Sequence, residues 1–114
     1  MINKIEFEFG SCEFTISVGG NSDDNDTLVR QSEPEDYWVH ISDFPSAHAV
    51  IKPRTAGKFP LRPIKKACLM VKQNSSKCKS MKKLQFDVTK IKHLEPTSVP
   101  GKVVVRKILR NINV

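Results

Sequence analysis

The chain has 114 residues, 39% of them hydrophobic and 27% charged, which fits one globular domain with a single core. It contains no apolar run near the roughly 20 residues that span a bilayer, no layout typical of a secretion signal, and three irregularly spaced cysteines that do not suggest a disulfide framework. We therefore expect a cytoplasmic protein without membrane contact, and the net charge of +7 indicates a polyanionic partner.

The first third of the chain predicts a β-hairpin followed by a loop. Residues 2–9 alternate apolar and charged side chains, and residues 14–18 repeat this alternation after a Gly10-Ser11 turn. Residues 19–26 are polar and rich in turn-forming residues, so we expect a loop there. Residues 27–30 fit either a short helix or a strand.

The middle of the chain predicts two short strands and then a helix. Residues 37–41 and 48–51 are β-like in composition, whereas residues 52–63 form a basic stretch with three prolines and one glycine, which favours a loop. A helix is predicted over about 63–75, because apolar residues recur with helical spacing at Ile64, Ala67, Cys68 and Val71.

Three further strands are predicted near 84–88, 102–105 and 108–114. Strands on both sides of one principal helix predict an α+β domain with a mainly antiparallel sheet, extending over residues 1–114. Within it we distinguish an acidic hairpin and loop (1–35), a motif region (36–51) and a basic remainder (52–114).

Charge is strongly segregated along the chain. Residues 1–50 contain ten acids and two bases, whereas residues 51–114 contain 17 bases and only Asp87 and Glu95 as acids. If the loop, the helix and the link after it lie together, they form a surface that neutralises phosphates. The alternative is a solvated lysine surface without a partner. Lysine outnumbers arginine, which favours phosphate contact over reading of bases. The predicted nucleic-acid-binding residues are Lys52, Arg54, Lys58, Arg62, Lys65, Lys66, Lys72, Lys77, Lys79, Lys82 and Lys83.

The sequence offers little support for catalysis or for a metal site. Histidines at 40 and 48 lie near acidic residues, but no serine or cysteine stands in a known nucleophile motif. The cysteine and histidine spacings do not match those of zinc sites. We expect no catalytic residue, no metal and no cofactor; the alternative is a nucleic-acid-processing enzyme that uses His40 or His48.

One segment resembles a known family. Asp36-Tyr37-Trp38-Val39-His40, followed by Pro45-Ser46-Ala47-His48-Ala49-Val50-Ile51, closely resembles the D-x-W-x-H … P-G-S-H-V-x-I signature of the NFACT-R domain, which occurs in ribosome quality-control factors and in shorter coiled-coil relatives. Weaker matches on both sides extend the resemblance over nearly the whole chain. The motif residues are Asp36, Trp38, His40, Pro45 and His48.

The resemblance implies a non-catalytic nucleic-acid-binding module whose usual partner is RNA, in particular tRNA or rRNA, with a link to translation or ribosome quality control. DNA is a second implied ligand, because a coiled-coil relative is associated with DNA binding. A protein-interaction adaptor is the alternative from another class. Ser46-Ala47 departs from the Gly-Ser of the large factors.

Strand alternation makes a further prediction about the motif. Trp38 and His40 should share one face of a strand, with Tyr37, Val39 and Ile41 on the other. We expect Trp38 in the core with its indole N–H bonded internally. The two histidines either contact a ligand or brace the strand-turn-strand unit.

Overall fold

The computed structural model describes residues 2–9, 12–42, 46–53, 59–75 and 80–114. Its elements in chain order are β1 (Asn3–Phe9), β2 (Cys12–Val18), α1 (Ser22–Gln31), β3 (Tyr37–Ile41), β4 (Ala49–Pro53), α2 (Leu61–Gln73), β5 (Gln85–Lys90), a 3-10 turn (Ile91–His93), β6 (Leu94–Pro96), β7 (Val103–Val105) and β8 (Arg110–Asn113).

The strands form one large antiparallel sheet and one small one. The large sheet has six strands in the order β1-β2-β4-β3-β5-β8, and β6 pairs with β7 in a separate two-stranded sheet. The strands β3 and β4, which carry the motif, therefore lie in the middle of the large sheet. The predicted α+β class with a mainly antiparallel sheet is confirmed.

The two faces of the large sheet are covered by different elements. Tyr37, Val39 and Ile41 point into the core beneath α2. Trp38 points to the opposite face, where it packs with residues of α1 and of the β6–β7 hairpin. The predicted alternation along β3 is therefore confirmed, and the domain has three layers: α2, the sheet, and α1 together with the hairpin.

Helix α2 lies close to its predicted position. It starts two residues earlier than expected, at Leu61, and ends at Gln73. Pro63 lies in its first turn, where a missing N–H costs no helical hydrogen bond. The inner side is formed by the four apolar residues that gave the helical spacing, all of them fully buried. The polar outer side is consequently available to solvent.

The prediction of a loop over residues 19–26 is wrong from Ser22 onward. Helix α1 starts there, and the side chain of Asn21 caps it by accepting a hydrogen bond from the Asp24 backbone N–H at 2.8 Å. The sequence shows no clear helical repeat of apolar residues here, because the buried side of α1 consists only of Leu28, Val29 and the polar Asn25. Asn25 is buried because its side chain accepts a hydrogen bond from the backbone of the motif residue His48.

Candidate nucleic-acid interface

The exposed side of α2 and the segment after it form a basic surface. Arg62, Lys65 and Lys66 are exposed along the helix. At the helix end, the Lys72 ammonium donates to the Lys82 carbonyl oxygen at 3.2 Å, which holds the 80–83 segment against α2. Residues 59–83 contain no acid. The structure thus brings six predicted residues to one face of the molecule: Arg62, Lys65, Lys66, Lys72, Lys82 and Lys83.

A seventh base on this side was not predicted from sequence. Arg110 on β8 shares the α2 face with the buried Ile112 two residues later. Its guanidinium carbon lies 4.0 Å from the centre of the Phe59 ring, a cation–π contact that fixes the side chain beside the start of α2. Phe59 in turn packs edge-on against Tyr37. We call these seven bases, Arg110 included, the basic face.

Several bases elsewhere in the described residues form ion pairs with acids. Glu35 accepts from both Lys90 and Lys92 at 2.7 Å, and these two ammonium groups lower the pKa of its carboxyl to about 2. In the described part of the chain, by contrast, no acidic side chain lies within ion-pair distance of Lys65 or Lys66. The α2 side therefore carries a group of bases in a stretch of chain without acids.

Lys52 is not part of the basic face. It lies on the sheet face opposite α2, and its ammonium is 3.2 Å from Glu33 and 3.5 Å from Asp36. The structure therefore does not bring Lys52 together with the other predicted phosphate contacts. Four predicted bases and one motif residue lie outside the described residues: Arg54, Lys58, Lys77, Lys79 and Pro45.

The motif residues form a ring cluster on the opposite face of the sheet. The Trp38 ring centre lies 4.5 Å from that of His40 and 5.0 Å from that of His48, and the two imidazoles meet edge to face at 5.9 Å. Trp38 is fully buried beneath them. The expected hydrogen bond of the Trp38 indole N–H is absent: the nitrogen is buried, and no described residue accepts from it. Ring packing, not a polar bond, fixes this tryptophan.

His40 belongs to a polar network centred on Asp87. Its Nε2 lies 2.9 Å from one Asp87 carboxylate oxygen. The other oxygen accepts from the Ser42 hydroxyl at 2.6 Å and from the Asn111 amide at 2.7 Å. The sequence alone does not identify Asp87 as a site residue, because its partners are distant in the chain and meet only across paired strands.

His48 is held in place through its backbone, which leaves its ring available to the cluster. Asn25 of α1 accepts from the His48 N–H at 3.0 Å, and Gly19 donates to the His48 carbonyl oxygen at 3.0 Å. These bonds explain why a polar residue is buried on α1. Burial, together with the nearby His40, lowers the pKa of His48 to about 4, so the ring is neutral at pH 7.

Asp36 has a structural role within the motif. It is buried, and its carboxylate accepts from the Glu33 N–H at 3.0 Å, closing the turn that precedes β3. Its backbone N–H donates to the Glu33 carbonyl oxygen at 3.0 Å in the same turn. The aspartate of the motif thus fixes where β3 begins.

The histidine pair forms the floor of an open groove of about 250 Å³. One wall is the first turn of α1 with Ser22, and the other is the β6–β7 hairpin with Lys102, Val103 and Val105. Gly101, at a φ of 80°, brings the hairpin close to Ser22, because a Cβ there would lie 2.9 Å from the Ser22 carbonyl oxygen. We call this feature the histidine groove.

Within the described ranges, no cluster of three or more histidine, cysteine or acidic side chains is arranged to hold a metal ion. The described helices also include none that is long and apolar enough to cross a membrane. Cys68 is buried on the inner side of α2, and this burial raises the pKa of its thiol to about 12, which leaves the thiol protonated and unreactive.

The three-layered α+β fold, its basic face and its central Trp-His-His cluster define a small binding domain. The sequence profile described as "NFACT protein RNA binding domain" matches residues 4–106, and the chain belongs to this family. The resemblance seen in the sequence is thereby confirmed.

Two further comparisons agree with this assignment. The chain is 34% identical over 66 residues to the coiled-coil domain-containing protein 25 homolog of Dictyostelium discoideum, a match that covers 55% of this chain and 32% of that protein. Its fold is similar to the C-terminal region of the fibronectin/fibrinogen-binding protein from Streptococcus suis, with a TM-score of 0.74 and 28% identity over 89% of this chain and 40% of that one. The chain therefore spans less than half the length of either relative.

Proposed function

We propose that this domain binds RNA through phosphate contacts on the basic face and catalyses no reaction. The observation that carries the proposal is the exposed side of α2, where Arg62, Lys65 and Lys66 lie in a segment without acids. Membership of a family described as RNA-binding supports it.

The geometry of α2 suits a nucleic-acid backbone. Its 13 residues extend over about 18 Å at roughly 1.5 Å per residue. A duplex carries one charge for about every 1.7 Å of its axis, so several phosphates lie within reach of this length. Lysine ammonium groups act as point charges without a fixed orientation, which gives binding by backbone and shape with little sequence preference.

The proposed partner is structured RNA, specifically tRNA or rRNA, in the cytoplasm and in the setting of translation or ribosome quality control. This part of the proposal rests on the family resemblance. Duplex DNA is the competing ligand, and it presents the same phosphate chemistry to a lysine surface.

Fluorescence anisotropy with labelled tRNA, single-stranded RNA and duplex DNA, each titrated at several salt concentrations, tests the proposal. We expect tRNA to bind most tightly and its affinity to fall steeply with salt, because counterions are released from the RNA. Absence of binding to all three at low salt would overturn the proposal. Tighter binding to DNA than to either RNA would replace RNA by DNA as the ligand.

A matched pair of double variants locates the surface. The substitutions Lys65→Gln and Lys66→Gln remove two charges from the basic face, and Gln keeps the helix propensity of Lys. We expect the salt slope to become shallower by about 1.4 for single-stranded RNA, or about 0.7 for each lost contact. Lys90→Gln with Lys92→Gln removes the same charge beside Glu35 and should leave the slope unchanged. Equal effects from both pairs would exclude the basic face as the binding surface.

A second candidate function is protein binding. Leu61, Leu69 and Met81 are exposed on the same side as the lysines, and apolar residues among charges are typical of protein-binding surfaces. The Streptococcus suis relative is itself a fibronectin/fibrinogen-binding protein by name. A pull-down that captures the same protein before and after nuclease treatment would favour this function.

A further inference from the structure

The histidine groove is separate from the basic face. The groove floor is built from His40 and His48, which lie over the buried Trp38 on one face of the sheet, whereas α2 covers the other face. A ligand in the groove therefore does not use the α2 lysines. The groove is also assembled from four distant parts of the chain, namely α1, β3, the segment just before β4 and the β6–β7 hairpin.

The groove floor offers hydrogen bonds and ring faces rather than positive charge. His48 is 7% exposed, and its Nδ1 is buried with no hydrogen-bond partner among the described residues. Its lowered pKa keeps the imidazole neutral, and the Nε2 of His40 is already paired with Asp87. A neutral planar group that exchanges hydrogen bonds and stacks on an imidazole fits this floor.

Charge enters the groove only at its rim. Lys102 is exposed on the hairpin wall, whereas Asp23 and Asp24 follow Ser22 in the first turn of α1 but do not line the groove. Since Lys102 is the one lysine or arginine among the described residues of the lining, the groove disfavours a compact, multiply charged anion such as free phosphate. It suits a ligand with a neutral planar portion and one anionic end directed at Lys102. Val103 and Val105 supply an apolar wall for the planar portion.

We propose that the histidine groove binds a single unstacked nucleotide, with the base and ribose against His40, His48 and Val103 and the phosphate at Lys102. This assignment goes beyond the proposed RNA contact on α2, since it names a second, independent site for a nucleoside monophosphate or an extruded nucleotide. The groove is open and partly polar, so the affinity for a free mononucleotide is weak, about 1 mM.

Histidine NMR resonances test the site directly. The chain has three histidines, and His93 lies on the 3-10 turn outside the groove lining, so it serves as an internal reference. We expect 5′-AMP to shift the Cε1–Hε1 signals of His40 and His48 with saturation and to leave His93 unchanged. Adenosine should shift the same two signals with several-fold weaker affinity, because it lacks the phosphate, and inorganic phosphate alone should not reproduce the shifts.

Two variants and one matched control locate the ligand. Val103→Phe fills the groove and should abolish the response to 5′-AMP. Val104→Phe adds the same ring to the exposed side of β7 and should preserve it. Lys102→Gln, at an exposed position, should reduce the 5′-AMP affinity to that of adenosine. If Val103→Phe fails to fold, the Lys102→Gln variant still tests the proposal, because Lys102 is exposed.

Specific outcomes would overturn the assignment. These are no shift of His40 and His48 at about 10 mM 5′-AMP, equal shifts from inorganic phosphate, or an unchanged response in Lys102→Gln. None of these three outcomes depends on whether RNA binds to the basic face on α2. RNA binding that persists without a 5′-AMP response rejects the groove alone, and a 5′-AMP response without RNA binding rejects the basic face alone.

Discussion

Lowering the pH from 7 to 5 should destabilise the fold, and His48 is the group responsible. It is packed against the Trp38 and His40 rings, with Asn25 of α1 at its backbone and Lys102 in the opposite groove wall. Burial and the neighbouring His40, itself paired with Asp87 on β5, lower the pKa of His48 from 6.5 to about 4. Protonating His48 in the folded state therefore places a charge in a site that cannot solvate it.

The sign and size of the effect follow from this pKa. The folded state holds the His48 proton less tightly than the unfolded chain, so this contribution to stability is complete above pH 6.5 and is lost as the pH falls towards about 4. The difference in pKa corresponds to about 3 kcal/mol in total. Of this, about 2 kcal/mol should be lost between pH 7 and pH 5.

Urea unfolding at the two pH values measures the loss. Trp38 is the chain's single tryptophan and is fully buried, so its fluorescence reports unfolding. The variant His48→Gln should show a pH dependence smaller by about 2 kcal/mol, whereas His93→Gln should behave like the wild type. Asp and Glu titrate mostly below pH 5, so they contribute little in this interval.

The reasoning is refuted if the wild type has the same free energy of unfolding at pH 7 and pH 5, or if His48→Gln retains the full pH dependence. An NMR titration of the folded protein gives an independent check that needs no variant. The Cε1–Hε1 signal of His48 should stay at its neutral position down to pH 5, and a midpoint near 6.5 would contradict the buried, neutral ring.

Three substitutions make further predictions for urea unfolding. Asn21→Ala removes the cap of α1 and should cost about 1 kcal/mol; an unchanged midpoint would show that the cap contributes nothing. Gly19→Ala would place a Cβ 2.3 Å from the Asn25 amide oxygen, and displacing that amide leaves the N–H it caps unsatisfied, at a cost of about 1–3 kcal/mol. Gly101→Ala forces a left-handed backbone onto alanine against Ser22 and should cost about 1–3 kcal/mol, while full wild-type stability would contradict the close approach.

The sequence predicted the elements whose apolar pattern is complete. The motif strands and α2 each bury a clear set of apolar side chains, so their period is visible without the structure. Helix α1 was missed because its inner side includes Asn25, which is buried to bond the backbone of His48. A cap residue at Asn21 followed by acids was the available signal, but it was outweighed by the turn-like composition.

The candidate site was only partly predictable, because some of its contacts join residues that are distant in the chain. Charge counting identified the lysines of α2, since they are neighbours in sequence. It also included Lys52, whose neutralisation by Glu33 and Asp36 depends on the packing of a turn against β4. Arg110 was missed because only strand pairing brings the chain end beside Phe59. Contacts between segments that are distant in the chain leave no recognisable pattern in the local sequence.

The central position of β3 and β4 in the large sheet makes the groove floor rigid and leaves the hairpin as the part that substitutions can alter. Strands β3 and β4 are hydrogen-bonded to neighbours on both sides, so their amide protons exchange with solvent only when the whole sheet opens. A floor built on such strands has its shape before any ligand arrives. The β6–β7 hairpin forms its own small sheet above that floor, and substitutions between residues 97 and 105 can reshape the groove while the core under α2, on the other face of the sheet, stays intact. New ligand preferences would therefore arise most readily in this hairpin.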